Sequence, residues 1–162
     1  MALPSIFNRR AWPKFSNLSV ANDWLEVVSC FPKLSVLDLA SCDLPPVTDL
    51  LSLPHINFSK SFTFLDLSNN HVTQSISSWL LNNSMSLYEI DLSHNQLGGS
   101  IPDVSSNMNS LQTLILDYNQ LEGSIPKFFG NMCALATLFI KNNKLSGQLA
   151  ELIHNLSVCN TH

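Results

Sequence analysis

One pattern recurs in LYEIDLSHNQL (residues 87–97), LQTLILDYNQL (residues 111–121) and LATLFIKNNKL (residues 135–145). All three fit the frame L-x-x-L-x-L-x-x-N-x-L, with Ile in place of Leu at two positions, and successive copies begin 24 residues apart. Looser copies precede them as LSVLDLASCDL (residues 34–44) and FTFLDLSNNHV (residues 62–72). Five copies at a near-constant step indicate a repeat protein, because self-similarity at a fixed period is the signature of stacked structural units.

The rest of each repeat also recurs. GSIP occurs at 99–102 and 123–126, GQL at 147–149 and QSI at 74–76, and we expect these glycines where the backbone bends or needs a positive φ. Trp24 follows Leu18 much as Trp79 follows Val72, which predicts the back half of an earlier coil near residues 15–33 and places both tryptophans in the core. The pattern divides the chain into a degenerate N-terminal segment (1–33), five repeats (34–61, 62–86, 87–110, 111–134 and 135–158) and the truncated start of a sixth (159–162).

The alternation of apolar and polar residues in each Leu-x-Leu piece predicts a strand with its leucines turned into the coil. Stacked coils then form a parallel sheet, and stability is a sum over neighbouring coils. The predicted fold is an α/β repeat, a right-handed solenoid of five coils with the sheet on its concave side and with both ends uncapped. One polar residue per coil leaves the strand at the turn, where it can bond neighbouring backbone as a buried ladder: Cys42, Asn70, Asn95, Asn119 and Asn143.

Outward strand positions change from coil to coil while the frame stays constant, so the concave face is the predicted binding surface. Its candidate contact residues are Phe64, Glu89, Asp91, His94, Asp117, Tyr118, Phe139 and Lys141. Asp38, Asp66 and Asp91 form an acidic stripe with two interpretations. The stripe could select a basic peptide, or each Asp could bond an adjacent Ser within its own turn.

Charge and composition argue against several functions. The chain has 8 Lys and Arg against 12 Asp and Glu, a net charge of −4 and a pI near 5.6, which disfavours nucleic-acid binding. It has no run of 18 apolar residues to span a membrane. The histidines at 55, 71, 94, 154 and 162 lack metal-ligand spacing, and no catalytic motif is present. We therefore expect no catalytic residues, no metal and no cofactor.

The frame and its Gly-x-Ile-Pro continuation resemble the plant-specific leucine-rich repeat of about 24 residues. SVANDWL (19–25), LSVLDL (34–39) and the pairing of NMC (131–133) with NLSVC (155–159) resemble plant receptor-like proteins of the fungal-xylanase-receptor type. The resemblance implies a plasma-membrane protein with an extracellular face that perceives a ligand and signals through partner kinases. Those relatives carry a signal peptide, caps and a membrane helix. Because none is recognised here, we expect a truncated internal ectodomain fragment and leave its compartment open.

Further expectations follow if the chain is exported. Four Asn-x-Ser sequons are candidate N-glycosylation sites, at Asn17, Asn57, Asn82 and Asn155. Cys133 and Cys159 are 26 residues apart, which would place them on neighbouring coils, and they are a candidate disulfide in an oxidising compartment.

The functional hypothesis is a non-catalytic recognition module that resembles part of a plant immune receptor-like protein. Its partners would be a protein or peptide ligand and, through a parent receptor, a kinase co-receptor. The alternative is a secreted inhibitor of a microbial cell-wall hydrolase, of the polygalacturonase-inhibiting type. Ice binding is a third reading, which Phe64, Glu89, Asp117 and Lys141 weaken because they interrupt a uniform lattice.

Overall fold

The computed structural model describes residues 6–8, 17–46, 62–73, 86–102 and 108–147. One helix, α1 (Trp24–Ser29), and one 3-10 helix (Lys127–Asn131) occur in this part of the chain. The strands are β1 (Ile6–Asn8), β2 (Val36–Asp38), β3 (Phe64–Asp66), β4 (Glu89–Asp91), β5 (Gly98–Gly99), β6 (Thr113–Ile115), β7 (Gln120–Ser124), β8 (Thr137–Phe139) and β9 (Lys144–Ser146).

The larger sheet has six parallel strands in the order β1-β2-β3-β4-β6-β8. In β2, β3, β4 and β6 the middle residue is buried and its two neighbours are half-buried, as the Leu-x-Leu alternation predicts. The parallel-sheet solenoid expected from the repeats is therefore confirmed. This sheet carries the outward residues, and we call its outward side the concave face.

β1 was not expected. It pairs with β2 in the register Ile6↔Val36, although the segment 1–33 was predicted to contain only the back half of a coil. The offset of 30 residues between these partners exceeds the 24-residue step of the later copies, and the segment has no recognisable frame. The repeat boundaries themselves stay predictions.

A second sheet of three parallel strands, in the order β5-β7-β9, also escaped the sequence analysis. It lies in the Gly-x-Ile-Pro part of the repeats, with Glu122 in register with Lys144. Gly123 inside β7 and Gly147 directly after β9 have φ angles of +83° and +119°. A side chain at either position would force an L residue into a region that favours glycine.

The core is one continuous cluster formed by the frame residues of successive coils. Leu37, Leu65 and Ile90 are fully buried side by side, and Phe129 of the 3-10 helix is fully buried in that cluster. Trp24 of α1 is buried in the same cluster, whereas Trp79 lies outside the described residues. Burying one such side chain contributes about 1.5–3 kcal/mol, so the frame supplies the core without help from the outward positions.

Candidate functional site

The ladder residues hold the coils together through backbone partners. Asn95 donates from Nδ2 to the carbonyl oxygens of Leu67, Leu92 and Ser93 at 2.9–3.1 Å, and its Oδ1 accepts from the Val72 amide at 2.9 Å. Asn70, Asn119 and Asn143 repeat this arrangement in their own coils. Cys42 at the first position has its Sγ 3.6 Å from the Ala40 carbonyl. Each carboxamide bridges two coils and fixes the edge of the concave face.

The residue before each ladder position has a left-handed backbone. The φ angles of these residues lie between +53° and +55°, at Ser41, Asn69, His94, Tyr118 and Asn142. Asn and His tolerate this region comparatively well, whereas a bulky residue such as Tyr118 is an outlier there. Because strained residues persist where the surrounding structure holds them and cluster at binding sites, Tyr118 is a functional candidate on conformational grounds as well.

His94, Tyr118 and Lys141 form a cluster across three coils. The rings of His94 and Tyr118 stack with centroids 4.2 Å apart and planes inclined by 13°. The Lys141 Nζ lies 5.7 Å from the centroid of the Tyr118 ring, within the range of a cation–π interaction. Tyr118 nevertheless keeps 45% of its surface exposed, so the cluster presents an aromatic surface beside a cation.

Asp117 contacts this cluster through both the backbone and the side chain of Lys141. Its Oδ1 accepts the Lys141 backbone amide at 2.7 Å, and its Oδ2 lies 3.6 Å from the Lys141 Nζ. The Asp117 side chain is 9% exposed and that of Lys141 66%. Asp117 therefore positions the neighbouring coil, and the exposed Lys141 head remains able to reach a ligand.

The three stripe aspartates lie side by side in the sheet register, Asp38 beside Asp66 and Asp66 beside Asp91. Asp66 and Asp91 each accept the backbone amide of the Ser two residues later, at 2.9 and 2.8 Å, and Asp38 accepts that of Ala40 at 3.3 Å. These local bonds match the structural interpretation without removing the carboxylates from the surface.

Burial raises the pKa of the Asp66 carboxyl above its ordinary value of 3.8. The neighbouring carboxylates Asp91 and Asp38 shift this pKa in the same direction, while hydrogen bonds from Ser68 oppose the shift. The stripe is thus a place where negative charge is crowded.

Phe64 and Glu89 lie half-buried on adjacent strands, and Phe139 on β8 is 49% exposed. Tyr88, which was not among the predicted contact residues, is 48% exposed immediately before β4. The sequence could have indicated it, because Tyr88 directly precedes Glu89, the first outward residue of its strand.

A polar line along the next column was missed as well. His71 Nε2 lies 2.8 Å from Asp43 Oδ1, Gln96 bonds the other ring nitrogen of His71 at 3.1 Å, and Asn17 donates to Asp43 at 3.3 Å. Asp43, His71 and Gln96 each follow a ladder position by one residue, which was the available signal.

The predicted glycosylation sites and the predicted disulfide lie only partly in the described residues. Asn17 is exposed, and its side-chain oxygen accepts from the Ser19 amide and hydroxyl. Cys133 is disulfide-bonded, whereas Cys30 and Cys42 are reduced cysteines, exposed and buried respectively. Asn57, Asn82, Asn155 and Cys159 lie outside the described residues, so the sequons and the pairing of Cys133 with Cys159 stay predictions.

The described segments contain neither a metal-binding cluster nor a membrane-spanning helix. In those segments, no three His, Cys, Asp or Glu side chains are grouped to hold a metal ion. Over the same residues, no helix combines the length and the apolar character needed to cross a bilayer.

Comparison with known proteins agrees with this geometry. The family model described as Leucine Rich Repeat matches residues 61–83, 86–108 and 110–132, so these residues carry leucine-rich repeats. The chain is similar to plant receptor-like proteins: it is 38% identical over 87 residues to Receptor-like protein EIX2 of Solanum lycopersicum. That alignment covers 51% of this chain and 8% of the relative, so the chain spans less than a tenth of that relative's length.

Solved structures show the same fold. The crystal structure of a TDR receptor superposes with a TM-score of 0.62 at 28% identity, covering 80% of this chain and 22% of that one. The plant peptide hormone receptor RGFR1 in complex with RGF2 superposes with a TM-score of 0.57 at 28% identity, covering 73% of this chain and 18% of that one. The expected resemblance to plant receptor ectodomains is therefore confirmed.

Proposed function

We propose that this chain is a non-catalytic recognition module that binds a protein or peptide on its concave face. The observation that carries the proposal is that the aromatic side chains of Tyr88, Tyr118 and Phe139 are exposed. The frame residues already form the core, so these three side chains are not needed there. Aromatic side chains are enriched at protein interfaces and concentrate binding energy there.

The comparisons support a receptor context. The structural neighbour RGFR1 is described as a peptide hormone receptor in complex with RGF2, and EIX2 as a receptor-like protein. By analogy, we place this chain in a plant immune receptor-like protein, with signalling left to kinase partners of a longer parent. The disulfide at Cys133 supports an extracellular location, because disulfides persist in oxidising compartments.

Display selection tests the proposal. The 162-residue chain, secreted into an oxidising compartment and shown to be a folded monomer by light scattering and circular dichroism, is panned against a random-peptide library. We expect enriched peptides whose affinity falls about tenfold in Tyr118→Ala and Phe139→Ala, the loss expected at binding hot spots. Val20→Ala is the matched control, since Val20 is exposed away from the sheet. Failure to enrich any peptide, or equal binding by all variants, would count against the concave face.

A further inference from the structure

One line of outward residues crosses five of the six strands of the larger sheet and changes character halfway. The sheet register places Asp38 beside Asp66, Asp66 beside Asp91, Asp91 beside Ile115 and Ile115 beside Phe139. We call these five residues the central column. Its first three members are carboxylates and its last two are apolar, so the column has an acidic half and an apolar half.

Within the described segments, the acidic half has no cation close enough to balance its charge. Among the residues that the structure describes, no Lys, Arg or His side chain lies within 4.0 Å of the carboxylates of Asp38, Asp66 or Asp91. Asp117 and Asp43 differ, because Asp117 faces Lys141 and Asp43 faces His71. Glu89 lies on the same strand as Asp91 and adds a further negative charge. A row of like charges on neighbouring strands is unfavourable until a cation covers it.

The apolar half is open to solvent. Phe139 is about half exposed on β8, and Ile115 beside it is half-buried on β6. Tyr118 follows Ile115 by three residues, and Lys141 follows Phe139 by two, so both lie just beyond the ends of these strands. An apolar side chain placed there would remove hydrocarbon surface from water on both sides of the contact.

We propose that the central column binds an extended peptide whose basic side chains lie over Asp38, Asp66 and Asp91 and whose apolar side chains lie over Ile115 and Phe139. The inference rests on the proposed function and specifies the chemistry of its ligand. Charge complementarity selects this occupant, because a neutral or acidic segment would leave the carboxylates uncompensated. The grouping of basic residues at one end and apolar residues at the other is the distinctive requirement.

The dimensions of the sheet set the length of the peptide. Five neighbouring strands at about 4.8 Å spacing give a column of about 19 Å, and an extended chain rises about 3.3 Å per residue. About seven residues therefore span the column, with alternate side chains facing the sheet.

The test uses two labelled heptapeptides of identical composition, blocked at both ends. The segregated peptide is Arg-Ser-Arg-Ser-Leu-Ser-Phe and the interleaved peptide is Arg-Ser-Leu-Ser-Arg-Ser-Phe. Fluorescence anisotropy with the full 162-residue chain measures both affinities at two ionic strengths. We expect the segregated peptide to bind about threefold or more tightly than its isomer, and added salt to reduce that advantage.

Matched variants locate the contact. Asp38→Asn and Asp91→Asn remove charge while keeping an oxygen that accepts the local backbone bond, and each should weaken the segregated peptide by about threefold. Glu122→Gln makes the same charge change on β7, away from the column, and should leave the affinity unchanged. Phe139→Ala should weaken the same peptide without altering its salt dependence.

The outcomes separate this inference from the proposed function. Equal affinity for the two isomers, no binding of either, or an equal effect of Glu122→Gln and Asp91→Asn would overturn the central column as a basic-apolar peptide site. If the display library still yields peptides that depend on Tyr118 and Phe139, the recognition function stands and only the ligand chemistry is wrong. If neither assay detects binding to the concave face, both proposals fall.

Discussion

At the scale of single residues, the side chains that hold the coils together differ from the outward side chains that change from coil to coil. Asn95 has its carboxamide committed to four backbone groups in two coils. Tyr118, in the next coil and one residue before its ladder position, is strained and exposed. Equivalent turns of successive coils therefore contain a residue that serves hydrogen bonding and, in the coil of Tyr118, a residue whose conformation costs stability.

Replacing Asn95 with Leu should destabilise the protein strongly. The change leaves buried carbonyl and amide groups without partners, at about 1–3 kcal/mol for each group that water cannot reach. Urea unfolding followed by circular dichroism measures the loss. Asn22→Leu is the matched control, because Asn22 is exposed, and it should change the free energy of unfolding little. Equal stability of the two variants would contradict the ladder.

Tyr118→Asn should leave the fold intact and impair binding. Asn already occupies this left-handed position at Asn69 and Asn142. Relief of about 1 kcal/mol of backbone strain offsets the lost ring contact with His94, which is worth about 0.5–1.5 kcal/mol. Thermal unfolding should give a melting temperature near that of the wild type, while peptides selected on the wild-type chain lose affinity. A large fall in melting temperature would make Tyr118 a packing residue.

At the scale of strands, β3 carries a crowded carboxylate between two others. Because the folded state raises the pKa of Asp66, it holds the proton more tightly than the unfolded chain does. The stability that this group contributes is present below pH 3.8 and is lost as the pH rises through the raised value.

Asp66→Asn should therefore stabilise the protein at pH 7 and make little difference near pH 3, where the wild-type carboxyl is protonated. The asparagine oxygen still accepts the Ser68 amide, so the local turn is kept. Chemical denaturation at several pH values, with Glu122→Gln alongside, checks this expectation. A variant less stable than the wild type at pH 7 would show that the Ser68 bonds outweigh burial and repulsion.

The larger sheet was predictable from sequence because apolar residues such as Leu65 and Ile90 alternate with polar ones. A strand with one buried side explains this alternation. The second sheet was not predictable, since Glu122 and Ser124 are exposed polar residues and β7 has no alternating apolar pattern to reveal it. Its strands form because stacking the coils brings their backbone groups into register. β1 escaped because residues 1–16 contain no frame.

The outward positions were predictable for the same reason as the strands, since the period fixes which side chains leave the sheet. The contacts between them were not. The stacking of His94 on Tyr118 and the pairing of His71 with Asp43 join different coils and depend on side-chain rotamers. A one-dimensional pattern brings such residues into the same column without saying which atoms meet.

At the scale of the whole molecule, thiol chemistry reports on folding and oxidation together. In native oxidised protein the exposed Cys30 should react quickly with an alkylating reagent, whereas the buried Cys42 should react only after unfolding. Cys133 should react only after reduction. Intact-mass spectrometry counts the labels at each step. Four labels on unfolded but unreduced protein would exclude the disulfide, and with it the main support for an oxidising compartment.

The left-handed residue that precedes each ladder position also bears on how such a protein could change over generations. The five positions already hold Ser, Asn, His, Tyr and Asn. The ladder bonds of Asn70, Asn95, Asn119 and Asn143 form beside them because each carboxamide bonds to main-chain atoms. Single substitutions there alter the exterior while the inherited framework survives. A lineage could therefore acquire new specificities by small mutational steps, and a directed-evolution library confined to these five sites would sample the same route.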